Sequence, residues 1–460
     1  MTTLIIISVL PIVLLYLGLY KASKALLPVT IVGLLAALAC AVGEYKRPDT
    51  TIPTFHGMMM FNNFSVVFSS IAIITTILIL LLSAGYFEKI SNHVAEYYAI
   101  ILFSLTGIIV MVSYYNLTMM FIGIEIMSVS LYILAGIKKS DFASNEAALK
   151  YFLMGAFSTG FLLFGITLLY GTTGSFSLEV INDWVVAHPH ADPMFYTGIG
   201  LIIVGLSFKV GAAPFHFWTP DVYEGSPTLI TAFMSTVVKT AGFAAFLRLF
   251  SVCFAPLSDF WTPILLVITV ATLFIGNITA LYQQSFKRML AFSSISHAGY
   301  LLFAIVALGA SSANSVFIYA TAYSVASIVA FGALILVQQQ SGSDNFESFN
   351  GLAKKNPFLA LVLTVAMLSL AGIPLTAGFM GKFYMFTGAL AKYQFWLVIV
   401  AVVNAIISIF YYFRVIVAMY FRAADRAELV VPAYYKIVFA ISALATIVIG
   451  VYPDFISYFI

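Results

Sequence analysis

Long apolar runs separated by short polar connections set the rhythm of this chain. They fall at about 3–20, 25–43, 66–86, 97–114, 117–136, 149–171, 197–218, 228–248, 261–283, 287–309, 313–338, 357–390, 394–420 and 434–452. A helix of about 20 apolar residues crosses the hydrocarbon core of a bilayer. The pattern therefore predicts an all-α, polytopic membrane protein with about 14 transmembrane helices. The longest polar connections, near 44–65, 172–196 and 339–356, leave no room for a soluble domain. The first run has no basic residue ahead of it and no small-residue cleavage site behind it, so it reads as the first membrane helix and not as a removed signal peptide.

Two runs are interrupted. One contains Lys209-Val-Gly-Ala-Ala-Pro214 and the other Ala371-Gly-Ile-Pro374. Proline deletes a helix hydrogen bond and glycine loosens the turn beside it, so both runs are expected to be broken helices. The two prolines are 160 residues and five helices apart. An odd number of helices inverts the second unit relative to the first, and paired interrupted helices mark inverted-repeat transporters. The expected division is three helices in 1–95, a first five-helix repeat in 96–250, a second, inverted one in 260–423, and a last helix in 432–460.

Composition strengthens the membrane reading. Of 460 residues, 62% are hydrophobic and only 8% charged, against roughly 25% charged in a soluble protein. The net charge of +3 gives no reason to expect nucleic acid as a partner. Cys40 and Cys253 are too few for an iron–sulfur cluster, which is usually held by about four cysteines, and read as buried free thiols. No phosphate-binding loop of Walker type occurs. Gly198, Gly200 and Gly205 miss the dinucleotide spacing and read as small residues for helix packing. His188 and His190 make only a weak metal pair, and no metal is expected. Basic residues in loops and helix ends divide fourteen against four, the minority being Lys46, Arg47, Arg248 and Lys392. The positive-inside rule then places both termini in the periplasm.

The chemistry lies in the charges left inside the apolar runs. Glu125, Lys209, Lys239 and Lys382 sit deep in their spans, and each costs about 2.5–3.5 kcal/mol at a helix centre. One glutamate cannot neutralise three lysines, so static salt bridges account for one pair at best. Lysine loses its proton readily when buried, which suits a relay. His216 and His297 lie near these spans and are possible supporting groups. Lys150 begins a span, where a lysine snorkels to the interface.

At this point the runs FIGIEIMSVSLYILAG, ALKYFLMGAFSTGFLLFG, FKVGAAPFHFWTPDVYEGSPT, FKRMLAFSSISHAGYLL and AGIPLTAGFMGKF become informative. Over nearly the whole chain they resemble the antiporter-like membrane subunits of bacterial respiratory complex I, NADH:quinone oxidoreductase. The resemblance implies two inverted five-helix repeats with helices seven and twelve broken. It makes Glu125 the helix-five glutamate that pairs with Lys209 of helix seven, Lys239 the central lysine of helix eight, and Lys382 the charged residue of helix twelve. Subunit M of that family carries glutamate at this last position, and subunit L continues into a long lateral helix that is not expected here. The pattern is therefore most similar to the subunit N branch.

The implied function is proton translocation through the row of buried Glu and Lys residues, driven by electron transfer in the respiratory chain. No cofactor is expected in this chain; NADH, FMN, iron–sulfur clusters and quinone would belong to partner subunits. The implied partners are the other membrane subunits of complex I and the lipid bilayer, in the bacterial inner membrane. The alternatives are a subunit of an Mrp-type sodium/proton antiporter, the plastoquinone-linked version of complex I, an independent small-solute permease, and a passive scaffold.

Overall fold

The computed structural model describes residues 1–45, 53–90, 93–392, 395–423 and 429–454. Lys46, Arg47 and Arg426, which enter the charge bias, lie outside these residues. The order begins α1 (Thr2–Leu19), α2 (Ser23–Glu44), α3 (Asn63–Leu81), α4 (Val94–Ser113), α5 (Leu117–Ala135) and α6 (Phe142–Thr173). It continues with α7 (Leu178–Ala187), α8 (Pro193–Val210), α9 (Trp218–Gly225), α10 (Thr228–Phe233), α11 (Lys239–Leu249) and α12 (Ser258–Leu281). The remainder is α13 (Phe286–Val306), α14 (Ser312–Ser341), α15 (Leu352–Lys355), α16 (Pro357–Ala371), α17 (Ala377–Ala391), α18 (Phe395–Phe421) and α19 (Ala433–Val451).

Among the described residues twelve helical stretches are long and apolar enough to cross a membrane. One of them, Thr228–Leu281, is 54 residues long and holds two of the expected runs. The interrupted run at 357–390 is in two pieces, α16 and α17, as the Gly/Pro pattern requires. The connection at 172–196 is less plain than its polarity suggests, because it contains α7. Leu178, Ile181 and Val185 give that short helix one buried face, which hydropathy averaged over a span does not register.

Helix ends follow from local chemistry. Asn62, Asn116, Asp141, Asp192, Ser285 and Asn356 each accept a hydrogen bond from a first-turn N–H through the side chain, satisfying donors the helix cannot use. Gly174 and Gly342 end the two longest helices, α6 and α14, in the left-handed conformation, where glycine carries no Cβ penalty. The segments after these two glycines are also alike. Beyond α6 the chain bridges Ser177 to Asn116, ahead of α5; beyond α14 it bridges Asn345 to Ser285, ahead of α13. Helices α6 and α14, of 32 and 30 residues, are thus followed by similar connections.

The chain divides into two compact units. The first comprises chiefly Met1–Gly211 and Val237–Val267; the second comprises Ala212–Thr236 and Ile268–Phe459. In the first, α4 and α5 touch backbone to backbone: a Cβ on Gly123 would lie 2.7 Å from the Met111 nitrogen. Helices α6 and α8 are as close, since a Cβ on Gly205 would meet Leu162 Cβ at 2.7 Å and one on Gly198 would meet the Gly165 carbonyl oxygen at 3.1 Å. The packing role expected of Gly198 and Gly205 is therefore present, while Gly200 has no such neighbour. In the second unit α13 is the core, buried at every residue except Arg288.

Arg248 departs from its expected place at a loop edge. It is 5% exposed, and its guanidinium donates to the Tyr114 carbonyl oxygen at 2.9 Å, Asn62 Oδ1 at 2.9 Å and Ser65 Oγ at 2.8 Å. It also lies 4.7 Å over the Phe64 ring. The helical path continues past Leu249 through a π turn at Phe250–Phe254, so the residue is further from the chain's turn than the apolar run implies. Arg248→Met should remove these three hydrogen bonds and cost about 2 kcal/mol, read as a lower unfolding temperature of the purified protein with Arg248→Lys intermediate.

Candidate functional site

In the first unit the close approach of α4 to α5 and of α6 to α8 brings three side chains together. Glu125 on α5 and Lys209 on α8 are both half-buried. They are not in direct contact. Thr159 on α6 stands between them: its hydroxyl donates to Glu125 Oε1 at 3.0 Å and accepts from Lys209 Nζ at 3.2 Å. Lys209 Nζ also donates to Ser128 Oγ at 2.9 Å, and Ser128 sits one turn beyond Glu125 on the same face of α5. The pair expected from the sequence is therefore a hydroxyl-bridged one, and Thr159 and Ser128 are residues the sequence reading missed. The bridging hydroxyl can pass a proton by exchanging its donor and acceptor roles.

Lys239 belongs to the same unit. It is 3% exposed and is the first residue of α11, directly after a π turn at Met234–Val238. Such turns are frequent at functional positions. Helix α11 packs on α8, with a Cβ on Gly242 reaching 3.1 Å from Val210 Cγ1.

The second unit holds Lys382 and His297. Helix α16 stops at Gly372, whose φ of +85° suits only glycine, and so leaves carbonyls at its C-terminal end. Lys382, on α17, turns back onto them. Its buried Nζ donates to the Ala371 carbonyl oxygen at 2.8 Å and to that of Leu370 at 3.2 Å. It also lies 4.8 Å from the centre of the Tyr300 ring. A Cβ on residue 372 would come within 2.8 Å of Lys382 Cδ and 3.0 Å of Nζ. The same glycine thus permits the turn and leaves room for the amine. Carbonyls at a helix C-terminus carry partial negative charge, and hydrogen bonds to a charged group contribute about 1.5–3 kcal/mol each. Two of them, with the aromatic face, offset the roughly 2.5–3.5 kcal/mol cost of a lysine in the membrane without a carboxylate.

His297 on α13 has both ring nitrogens engaged. Nδ1 is 2.7 Å from the Tyr319 hydroxyl and Nε2 is 3.0 Å from that of Tyr412. The Tyr412 hydroxyl in turn meets Ser293. A cavity of about 10 Å³ lies against His297, Tyr319, Ser369 and Leu370, room for a single water. Leu370 is also one of the two residues whose carbonyls hold Lys382. Tyr300, Tyr319 and Tyr412 carried no signal in the sequence, since tyrosine is common in membrane proteins.

Other expected positions divide. His216 is buried in the first helix break, against Phe217; there the Ala213 N–H finds the Thr272 hydroxyl at 2.9 Å. Lys150 is partly exposed and pairs with Glu146 one turn away at 2.8 Å, apart from the buried clusters. Lys287, expected at a helix end, is instead 4% exposed. Its amine caps the end of α9 by donating to the carbonyl oxygens of Glu224 at 2.8 Å and Ser226 at 2.5 Å.

The sequence family described as NADH:quinone oxidoreductase/Mrp antiporter, transmembrane, matches residues 115–408. The chain is 41% identical over 459 residues to the NADH-quinone oxidoreductase subunit N of Cytophaga hutchinsonii, covering 99% of this chain and 98% of that one. It is similar in structure to a chain of respiratory complex I from Thermus thermophilus, with a TM-score of 0.84, 32% identity, and 99% and 98% of the two chains covered. A chain of the Mrp complex from Dietzia sp. has the same fold, with a TM-score of 0.87 at 18% identity over 99% of this chain and 95% of that one.

Proposed function

The chain belongs to the NADH:quinone oxidoreductase/Mrp antiporter transmembrane family, and from that premise we propose that it is the proton-translocating membrane subunit of an NADH-quinone oxidoreductase. Proton carriers in this reading are Glu125, Lys209, Lys239 and Lys382, with Lys382 as the exit station. His297, His216 and Lys150 are supporting groups. The driving force is electron transfer in partner subunits, which would hold the NADH, FMN, iron–sulfur and quinone sites. The complex would lie in the bacterial inner membrane with both termini of this chain in the periplasm. The division into repeats at 96–250 and 260–423 belongs to the same reading.

One observation carries the proposal: the Glu125–Thr159–Lys209 chain, in which an acid and a base share one hydroxyl. A static ion pair needs no hydroxyl between its charges, whereas a relay uses one. Thr159→Val keeps the shape and deletes the link. It should lower proton pumping in reconstituted vesicles roughly tenfold, the effect of about 1.4 kcal/mol on a rate, while assembly of the complex is preserved. Glu125→Gln combined with Lys209→Met should cost less than the two singles together, because the groups are coupled. Wild-type pumping by the valine variant, with additive singles, would remove the relay.

A further inference from the structure

The proton-carrying clusters leave one feature of the second unit unused. A groove of about 560 Å³ opens beside α18. Phe410, Phe413 and Val417 form its apolar wall, and Ala418 makes its floor. Arg414 and Arg422 supply its positive charge. The spacing explains the shape: Phe410, Arg414 and Ala418 follow at four-residue intervals along one stripe of α18 and Arg422 comes just past its end, so the small Ala418 leaves space between the two arginines.

Among the described residues no carboxylate neutralises the arginines of this groove. Arg414 donates to the carbonyl oxygens of Leu281 at 3.2 Å and Gln283 at 2.9 Å, and to Gln284 Oε1 at 3.2 Å, all neutral acceptors. Its guanidinium lies 4.2 Å over the Phe346 ring. Arg422 is exposed. Glu347, the acid in the lining, forms no ion pair with either arginine among the described residues. A rise of 1.5 Å per residue separates the two arginines by about 12 Å along the axis. Arg422 follows the last residue of α18, and Phe410 lies further into the helix than Arg414. Phe410 is 62% exposed and faces away from the core.

We propose that this groove binds an anionic phospholipid, its phosphate between Arg414 and Arg422 and an acyl chain along Phe410 and Phe413. Fixed positive charge at headgroup depth with an apolar lane beneath it is the arrangement that selects anionic over zwitterionic lipid. Arginine suits phosphate because its planar fork presents paired donors.

The test uses the purified complex, stripped of lipid and titrated with a photoreactive phosphatidylglycerol. Labelling should saturate and map to the α18 peptide. Unlabelled phosphatidylglycerol should displace it, whereas phosphatidylcholine and inorganic phosphate should not. A basic residue near the membrane surface contributes about 1 kcal/mol to anionic lipid, so Arg422→Gln should raise the half-saturating concentration roughly fivefold. This variant leaves the fold alone, since the side chain is exposed. Arg414→Gln should weaken labelling further. Equal displacement by phosphatidylcholine or by phosphate overturns the proposal. So does unchanged labelling in both variants, or a crosslink from Phe413 to a neighbouring subunit in place of lipid.

Discussion

Lys239→Ala is expected to stop proton pumping through this subunit while the complex still assembles, and Lys239→Arg is expected to stop it as well. The lysine is buried at the first residue of α11, where a π turn interrupts the regular ladder just before it. Its helix packs on α8, which carries Lys209. Assembly should survive because removing a buried charge also removes its desolvation penalty. The arginine variant keeps the charge and much of the volume, yet it hardly ever releases a proton. Lys239→Met supplies the control for packing: it fills the space and cannot titrate, so it should behave like alanine in pumping and like wild type in assembly. Pumping in vesicles, normalised to NADH oxidation, is the measurement. Normal pumping by the arginine variant would rule out a titrating group at this position.

The fold was largely legible because a bilayer imposes harsh rules. Unpaired backbone groups are too costly in hydrocarbon, so apolar length alone locates the ends of α1, α2, α4 and α5 closely, whereas α3 stops at Leu81 and α6 starts at Phe142, both ahead of the expected bounds 86 and 149. The broken helices were readable for a related reason. Gly211 and Gly372 occupy left-handed positions, and Pro214 and Pro374 follow each of them closely. The charged members of the site were readable because every charge in a span demands an account. Its neutral members were not. Thr159 lies 34 residues from Glu125 and 50 from Lys209, and a threonine in an apolar helix is cheap enough to pass unnoticed. Tyr300 and Tyr412 are hidden likewise. Lys287 and Arg248 escaped because hydropathy marks the ends of a run and not the depth at which a side chain is covered.

The structure changes the effect expected from replacing Lys382. A related subunit carries glutamate at this place, which by itself suggests that an acid would still relay here. The geometry argues against a simple exchange. The amine donates to two carbonyl oxygens at the end of α16 and lies over the negative face of Tyr300. A carboxylate put there would face oxygen on one side and a π cloud on the other. Lys382→Glu is therefore expected to lose most pumping along with Lys382→Ala. Lys382→Gln can still donate to the Leu370 and Ala371 carbonyls, so it should assemble like wild type and yet pump more than tenfold more slowly, a barrier increase of about 1.4 kcal/mol or more. Gly372→Ala tests the same geometry without touching the lysine. Its Cβ would crowd Lys382 Nζ at 3.0 Å, and a left-handed backbone adds about 1–2 kcal/mol of strain. The alanine variant should fold less stably and pump less. If the glutamine variant pumps at the wild-type rate, Lys382 only anchors the broken helix. If it fails to assemble, the carbonyls need a full charge, and the anchoring role again prevails.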